Sequence, residues 1–362
     1  MNTWGENLKL SIFGESHGTS IGVVIDGIPA GTALDLDMIN TQMSRRAPGQ
    51  NNMSTPRKES DKVEIVSGLY NGFTTGTPLT GIIYNTNTKS ADYNKDLIRP
   101  GHADFTGFSK YGKTHDFRGG GHFSGRLTAP LVFAGSIAMQ ILNNSGITIA
   151  AHISRIGKIL DTPFDKVNLT SDLLNVLKEK PFSTIDDVAG QNMKEEILAI
   201  RKEKNSIGGI IECGVVGVPI GLGEPFFGSV ESRISSMIFS VPAVKGIEFG
   251  AGFGFADLTG KEANDEFYIC EENQKTIKTF TNNNAGINGG ITNGMPIVFK
   301  TVIKPTPSIS QSQNTVNIKE SQNTKIEING RHDPCIVHRA VVVIEAVTAL
   351  TILDLIKENS QI

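Results

Sequence analysis

Apolar positions along this chain fall into short alternating runs and two long continuous ones. The alternating pattern predicts strands over Leu8 to Phe13 and Ser20 to Ile25, separated by a turn from Gly14 to Gly18. The second strand ends at Asp26-Gly27 and the Pro29-Ala30-Gly31 punctuation. Further strands are predicted near Lys62 to Val66, Leu79 to Asn85 and Thr148 to Ile156. Helical spacing predicts a short helix from Leu36 to about Ser44, capped by Asp35, and weakly amphipathic helices around Ser171 to Lys178 and Met193 to Lys202. The long runs, Leu127 to Leu142 and Ala340 to Ile356, are apolar on most sides and so need cover on both faces. Glu345 and Asp354 interrupt the second, which favours a core helix over a membrane span.

From Ile207 onward the pattern starts again. Gly214 to Gly221 (GVVGVPIG) echoes Val24 to Gly31 (VIDGIPAG), and Gly290 to Ile297 (GITNGMPI) echoes Gly72 to Leu79 (GFTTGTPL). Arg331 then leads through a polar turn into a long apolar helix, as Arg118 does. Three echoes in one order predict an internal duplication, with repeats at about 1–145 and 205–360 inside a single domain spanning 1–362. The expected class is α+β. Two halves would pack about a pseudo-twofold axis, with long central helices covered by antiparallel sheets, because regular strand–helix alternation for a doubly wound sheet is lacking.

Composition narrows the function. The chain has 362 residues, 38% hydrophobic and 20% charged, which is enough for a sizeable core and far from a disordered composition. A net charge of -3 offers no global field for nucleic acid, although local basic clusters can still bind a small anion. Cys213, Cys270 and Cys335 make no paired spacing and read as reduced thiols. Glu6, Lys9 and Glu15 occupy the stretch that a signal peptide would need to keep apolar. The expectation is a soluble, cytoplasmic protein with neither a membrane nor a nucleic-acid partner. No histidine or cysteine spacing matches a metal motif, so no metal is expected.

The chemistry-bearing residues lie in glycine-rich loops. Gly14-Glu15-Ser16-His17-Gly18 puts an imidazole and a hydroxyl on a tight turn. Arg99-Pro100-Gly101-His102-Ala103-Asp104 offers a second histidine with a carboxylate two residues on, which reads equally as a simple turn contact. Arg118 to Arg126 (RGGGHFSGR) is the richest segment. Three successive glycines are costly to order, and the helix that follows presents unpaired N–H groups to an anion beside Arg126. The polar loop from Arg45 to Ser60 adds Arg45, Arg46 and Arg57 and is long enough to need a function. Asp333-Pro334 reads structurally as the cap and first residue of the last helix. Gly107 to Thr114 matches a phosphate-binding loop letter for letter. It has no strand before it, and a following helix would run into Gly119, so the match is a decoy. A Ser-His-Asp hydrolase has no G-x-S-x-G elbow here.

Taken together, Gly14 to Gly18, Arg99 to Asp104, Arg118 to Gly121 with Ser124 and Arg126, Gly221 to Pro225, Asn283 to Gly286, Lys304-Pro305-Thr306 and Arg331 to Pro334 resemble the chorismate synthase family, in that family's order and over nearly the whole chain. The resemblance implies a β-α-β sandwich, usually a homotetramer, that binds reduced FMN. It implies a carbon–oxygen lyase converting 5-enolpyruvylshikimate 3-phosphate to chorismate by 1,4-anti-elimination of phosphate, without net redox change. On it, His17, His102 and Asp333 are catalytic. Ser16, Arg45, Arg46, Arg57 and Arg126 meet the substrate. His122, Phe123, Ser124, Pro242, Ala243, Gly289, Lys304, Thr306, Ser308 and Arg331 meet the flavin. The chain departs from the family pattern at Ser44, His122 and Phe123, and a neutral imidazole is not a permanent cation. With no added reductase segment, an external flavin reductase is expected, and NADPH enters only as a source of reducing equivalents. The alternative is a non-catalytic flavin- or anion-binding protein that keeps the pocket.

Overall fold

A computed structural model of the chain describes residues 1–49, 53, 59–86, 94–271, 276–328 and 333–359. Within them the long apolar runs become two helices, Thr128–Asn144 and Val337–Glu358, packed against each other. Every residue from Thr128 to Leu142 except Gln140 is buried, and so is every residue from Val341 to Ile356. The helices approach closely at Gly135, where a Cβ would lie 2.4 Å from that of Ala346. Gln140, the partly exposed exception, exchanges hydrogen bonds with the backbone of Asp35, the residue that caps helix Leu36–Arg46. The buried Thr348 and Thr351 satisfy their hydroxyls on carbonyls one turn back, at 2.7 and 2.9 Å. The stretch 125–144 is long and apolar enough to cross a membrane by composition alone, yet it lies in the protein core.

Each helix face turned away from its partner is covered by an antiparallel five-stranded sheet, giving sheet, helices, sheet. The first sheet runs Thr3–Trp4, Lys9–Gly14, Ser20–Asp26, Leu79–Tyr84, Glu64–Ser67. The second runs Ile159–Leu160, Thr148–Ile156, Gly209–Val216, Ile297–Ile303, Val244–Phe249. The expected mixed α+β class with antiparallel sheets around long helices is thus observed.

From their second strand onward the sheets follow the same order of connection, and the echoed sequences make the same hydrogen bonds. Gly31 N donates to Thr74 O at 2.8 Å, and Gly221 N to Thr292 O at 2.9 Å. Thr74 Oγ1 donates to Pro29 O at 2.5 Å, and Thr292 Oγ1 to Pro219 O at 2.7 Å. The second half alone inserts helices Ser171–Glu179 and Asp187–Lys202 between its first two long strands. The helix Asp104–Tyr111, unforeseen from the periodicity, swallows most of the phosphate-loop match and removes the loop it would need.

Candidate active site

A cavity of about 920 Å³ opens where the loops before the two central helices converge. Segments 119–128, 101–103, 241–245, 304–308 and 333–343 all reach it. Of the residues expected to act, Arg46, His102, His122, Phe123, Ser124, Arg126, Pro242, Ala243, Lys304, Thr306, Ser308 and Asp333 line this one space. They come from both halves of the chain.

The glycine triplet shapes one wall. Gly119, Gly120 and Gly121 have φ of 61°, 86° and 54°, a region that side chains disfavour. A Cβ on Gly119 would sit 2.4 Å from the His17 ring, and one on Gly120 3.2 Å from His102 Nε2. The missing side chains therefore seat two histidines against consecutive residues. His17 and Ser16 lie behind Gly119 rather than in the cavity lining, and the buried Ser16 Oγ has no hydrogen-bond partner among the described residues. On the far side His102 Nδ1 is 2.6 Å from Asp104 Oδ1, and Arg99 grips Asp104 through Nε and Nη2, each at 2.7 Å. Burial alone would raise the Asp104 pKa, but hydrogen bonds from Arg99 and His102 hold it far below the ordinary carboxylate range.

The basic floor is assembled around a carboxylate that composition and spacing did not single out. Asp61, fully inside the protein, accepts from Arg46 Nη1 on one oxygen and Arg126 Nη1 on the other. Burial would raise its pKa, yet Arg46 and Arg126 keep it below its ordinary value. Burial pulls Arg46 down to about 10, with Asp61 opposing. Arg126 is further fixed by Asn85 Oδ1 at 3.0 Å, and its Nη2 lies 3.8 Å from Glu59 without a hydrogen-bond partner among the described residues. Arg339, in the first turn of the second central helix, adds a third guanidinium to the lining. It donates to Asp333 Oδ2 at 2.8 Å and to the Arg46 carbonyl at 3.0 Å.

Several expectations need correction. Arg45 does not line the cavity; it is locked to the buried Glu345 at 2.5 and 3.2 Å. Successive helical residues point about 100° apart, so only one of Arg45 and Arg46 can face the site. Asp333 is not the helix cap: the helix starts at Val337 with Ile336 before it and no side-chain cap bond, and Asp333 holds Arg339 instead. Gly289, in the tight turn between strands Ile287–Asn288 and Ile291–Thr292, is not among the residues that line the cavity. His122 lines the cavity but is tethered, with Nδ1 2.8 Å from the Gly14 carbonyl. Arg57 and Arg331 lie outside the described residues.

Apolar side chains of Leu131, Val241, Pro242, Ile336 and Val343 also line the cavity. Ala243 there has φ of 75°, a strained value for a residue with a Cβ, and its carbonyl accepts from Lys304 N at 2.9 Å. Thr306 Oγ1 is buried without a partner among the described residues. Apolar side chains, buried cations and spare polar atoms in one cavity suit a flat, anionic ligand pair.

Comparison with known proteins agrees with this fold. The family model described as chorismate synthase matches residues 8–356. A chorismate synthase of Dehalococcoides mccartyi (strain ATCC BAA-2100) is 45% identical over 356 residues, covering 98% of this chain and 96% of the relative. That of Methanocaldococcus jannaschii is 43% identical over 366 residues, covering 98% and 96%. A solved structure described as the crystal structure of chorismate synthase superposes with a TM-score of 0.74 at 26% identity, covering 98% of this chain and 93% of that one.

Proposed function

The chain belongs to the chorismate synthase family, and from that premise we propose how its cavity works. It is a lyase that eliminates phosphate from 5-enolpyruvylshikimate 3-phosphate to form chorismate. The observation carrying the residue assignments is the convergence of Arg46, Arg126 and Arg339 on one cavity beside His102 and the glycine triplet. Arg46, Arg126 and Arg339 bind the substrate's phosphate and carboxylates, since guanidinium forks match both groups. His17, seated behind Gly119 and outside the cavity lining, is assigned by the family resemblance to protonate the departing phosphate, with Ser16 beside it. His102 Nε2 stabilises charge at the cofactor, and Asp333 relays a proton. An imidazole suits such transfers because its ordinary pKa is near 6.5.

Reduced FMN fits the residues present. The apolar Val241, Pro242, Ala243 and Phe123 accept a ring system, and the spare Thr306 Oγ1 with Ser124, Lys304 and Ser308 supplies polar contacts. About 920 Å³ lies near the upper end for small-molecule sites, which allows cofactor and substrate together. When bound, reduced FMN supplies electron density that eases phosphate loss without net redox change. Arg57 and Arg331 enter this reading from sequence alone, the first toward substrate and the second toward flavin.

The same reading extends to a homotetramer, supported by exposed Phe226, Phe227 and Phe253 at 84%, 95% and 86% accessibility. It extends to a cytoplasmic location, supported by the free thiols Cys213, Cys270 and Cys335, and to an external reductase, with NADPH as the source of electrons. It also takes the chain as one domain of two repeats about a pseudo-twofold axis, supported by the matched turns at Thr74 and Thr292. The test supplies 5-enolpyruvylshikimate 3-phosphate and reduced FMN anaerobically and follows phosphate and chorismate in step. Folded, flavin-binding protein that releases neither would overturn the reading.

A further inference from the structure

The His102 loop is ordered beyond what a simple ligand contact requires. Asp104, the first residue of helix Asp104–Tyr111, is 9% exposed, and Oδ2 accepts from both the backbone N of Arg99 at 3.0 Å and its Nε at 2.7 Å. Its other oxygen takes Arg99 Nη2 and faces His102 Nδ1. Arg99 is itself anchored near Ser308 Oγ, at 3.5 Å from Nη1. Nδ1 also lies 3.1 Å from Arg99 Nη2, but that donor is the closer to Oδ1, at 2.7 Å, and an ionised carboxylate can only accept, so the shorter 2.6 Å contact requires its hydrogen on Nδ1. Nε2 takes no hydrogen bond from the described residues and faces Gly120, which lacks the side chain that would cover it.

We propose that Asp104, clamped by Arg99, is a positioning residue for the lyase reaction: it fixes His102 as the Nδ1–H tautomer, so that Nε2 is the nitrogen presented to the cavity. The proposal rests on the assignment of His102 to the site. Asp104 and Arg99 are the charged groups that the loop itself brings to the ring. Facing them from the second half are the Lys304 ammonium, bonded to the Gly101 carbonyl, and the neutral Ser308 hydroxyl. The glycine triplet packed against the ring carries no charge.

The test uses the full chain and two readouts. Carbethoxylation of His102 by diethyl pyrocarbonate, followed by peptide mass spectrometry across pH without flavin, reads the unprotonated ring directly. Anaerobic turnover with reduced FMN is measured over the same range. Asp104→Asn should move the midpoint of His102 modification and lower kcat about 10- to 10³-fold with KM little changed. Asp104→Glu keeps the charge that folding needs and forfeits the geometry, so it should hold the midpoint and lose kcat. An unmoved midpoint in Asp104→Asn, or wild-type kcat in both variants, overturns the proposal. If both keep kcat while His102→Ala is inactive, only the positioning role falls. Full turnover by His102→Ala removes the assigned role of His102 as well.

Discussion

His102 and His152 each hold an aspartate at hydrogen-bond distance, 2.6 Å to Asp104 in one case and 2.8 Å to Asp161 in the other. The difference lies in the second nitrogen. His152 Nε2 meets Glu212 Oε2 at 2.9 Å, inside the second sheet and fully shielded from solvent. Asp161 in turn accepts from the backbone of Ile185 and Asp186, and Glu212 from Phe164, so the cluster ties the inserted helices to the sheet. His102 leaves Nε2 facing a cavity. The same pairing closes the ring into the core where both nitrogens are taken and leaves a nitrogen available to a ligand where one is open.

Alanine substitution should separate the two histidines most sharply. His102→Ala is expected to lower turnover about 10²–10⁴-fold with little change in melting temperature. His152→Ala leaves two buried carboxylates facing each other without the cation between them, a loss on the order of 3–5 kcal/mol. Its folded fraction should still turn over at close to the wild-type rate. Calorimetry beside single-turnover kinetics decides the matter, and a His152 variant as stable as wild type would dissolve the contrast.

A smaller effect should appear in the pH dependence of stability. Burial would lower the pKa of His152, but Asp161 and Glu212 raise it above its ordinary value near 6.5. A raised folded value stabilises fully below about pH 6.5, and that contribution is lost as pH rises through the folded pKa. Asp161 shifts the opposite way; burial opposes, and hydrogen bonds from His152 and the backbone prevail. Its contribution holds above about pH 3.8 and fades as pH falls through the lowered value. Melting temperature should thus stay level between about pH 4 and about pH 6.5 and decline on the alkaline side of that range. His152→Gln, which cannot carry the charge, should lose that alkaline decline; an unchanged profile would assign the decline to other groups.

Much of this contrast was hidden from the sequence for definable reasons. Strand Thr148–Ile156 and both central helices were legible because near-complete burial demands continuous apolar runs, and their lengths tell strand from helix. The repeated Gly-Pro turns were legible because their backbone requires those residues. Asp61 was not, because its partners Arg46 and Arg126 are 15 and 65 residues away and meet it only in space. Arg339 left one faint signal, a cation among apolar residues at the start of a core helix. Asp333-Pro334 misled because Asp333 is drawn to Arg339, which is six residues on, and the helix starts later than the dipeptide suggests. The Arg45–Arg46 pair was readable as charge, but which member faced inward depended on the helix phase.

The smallest expected effect isolates what the cavity histidine needs that the sheet histidine does not: a neighbour without a side chain. Gly120→Ala places a Cβ 3.2 Å from His102 Nε2 at a φ of 86°. Gly146→Ala, at φ 77° after the first central helix, meets nothing within 4 Å. Both should cost on the order of 1–2 kcal/mol for the left-handed backbone alone. Only Gly120→Ala also presses on a ring that Asp104 and Arg99 hold in place, so the ring must shift by a few tenths of an ångström or break its 2.6 Å contact. Misplacement by 1 Å can cost about 10²-fold in rate, and a fraction of that shift should cost roughly 3- to 10-fold. Equal melting losses with a kcat deficit confined to Gly120→Ala would support the glycine as a seat for His102. Equal kcat in the two variants would reduce it to a turn residue.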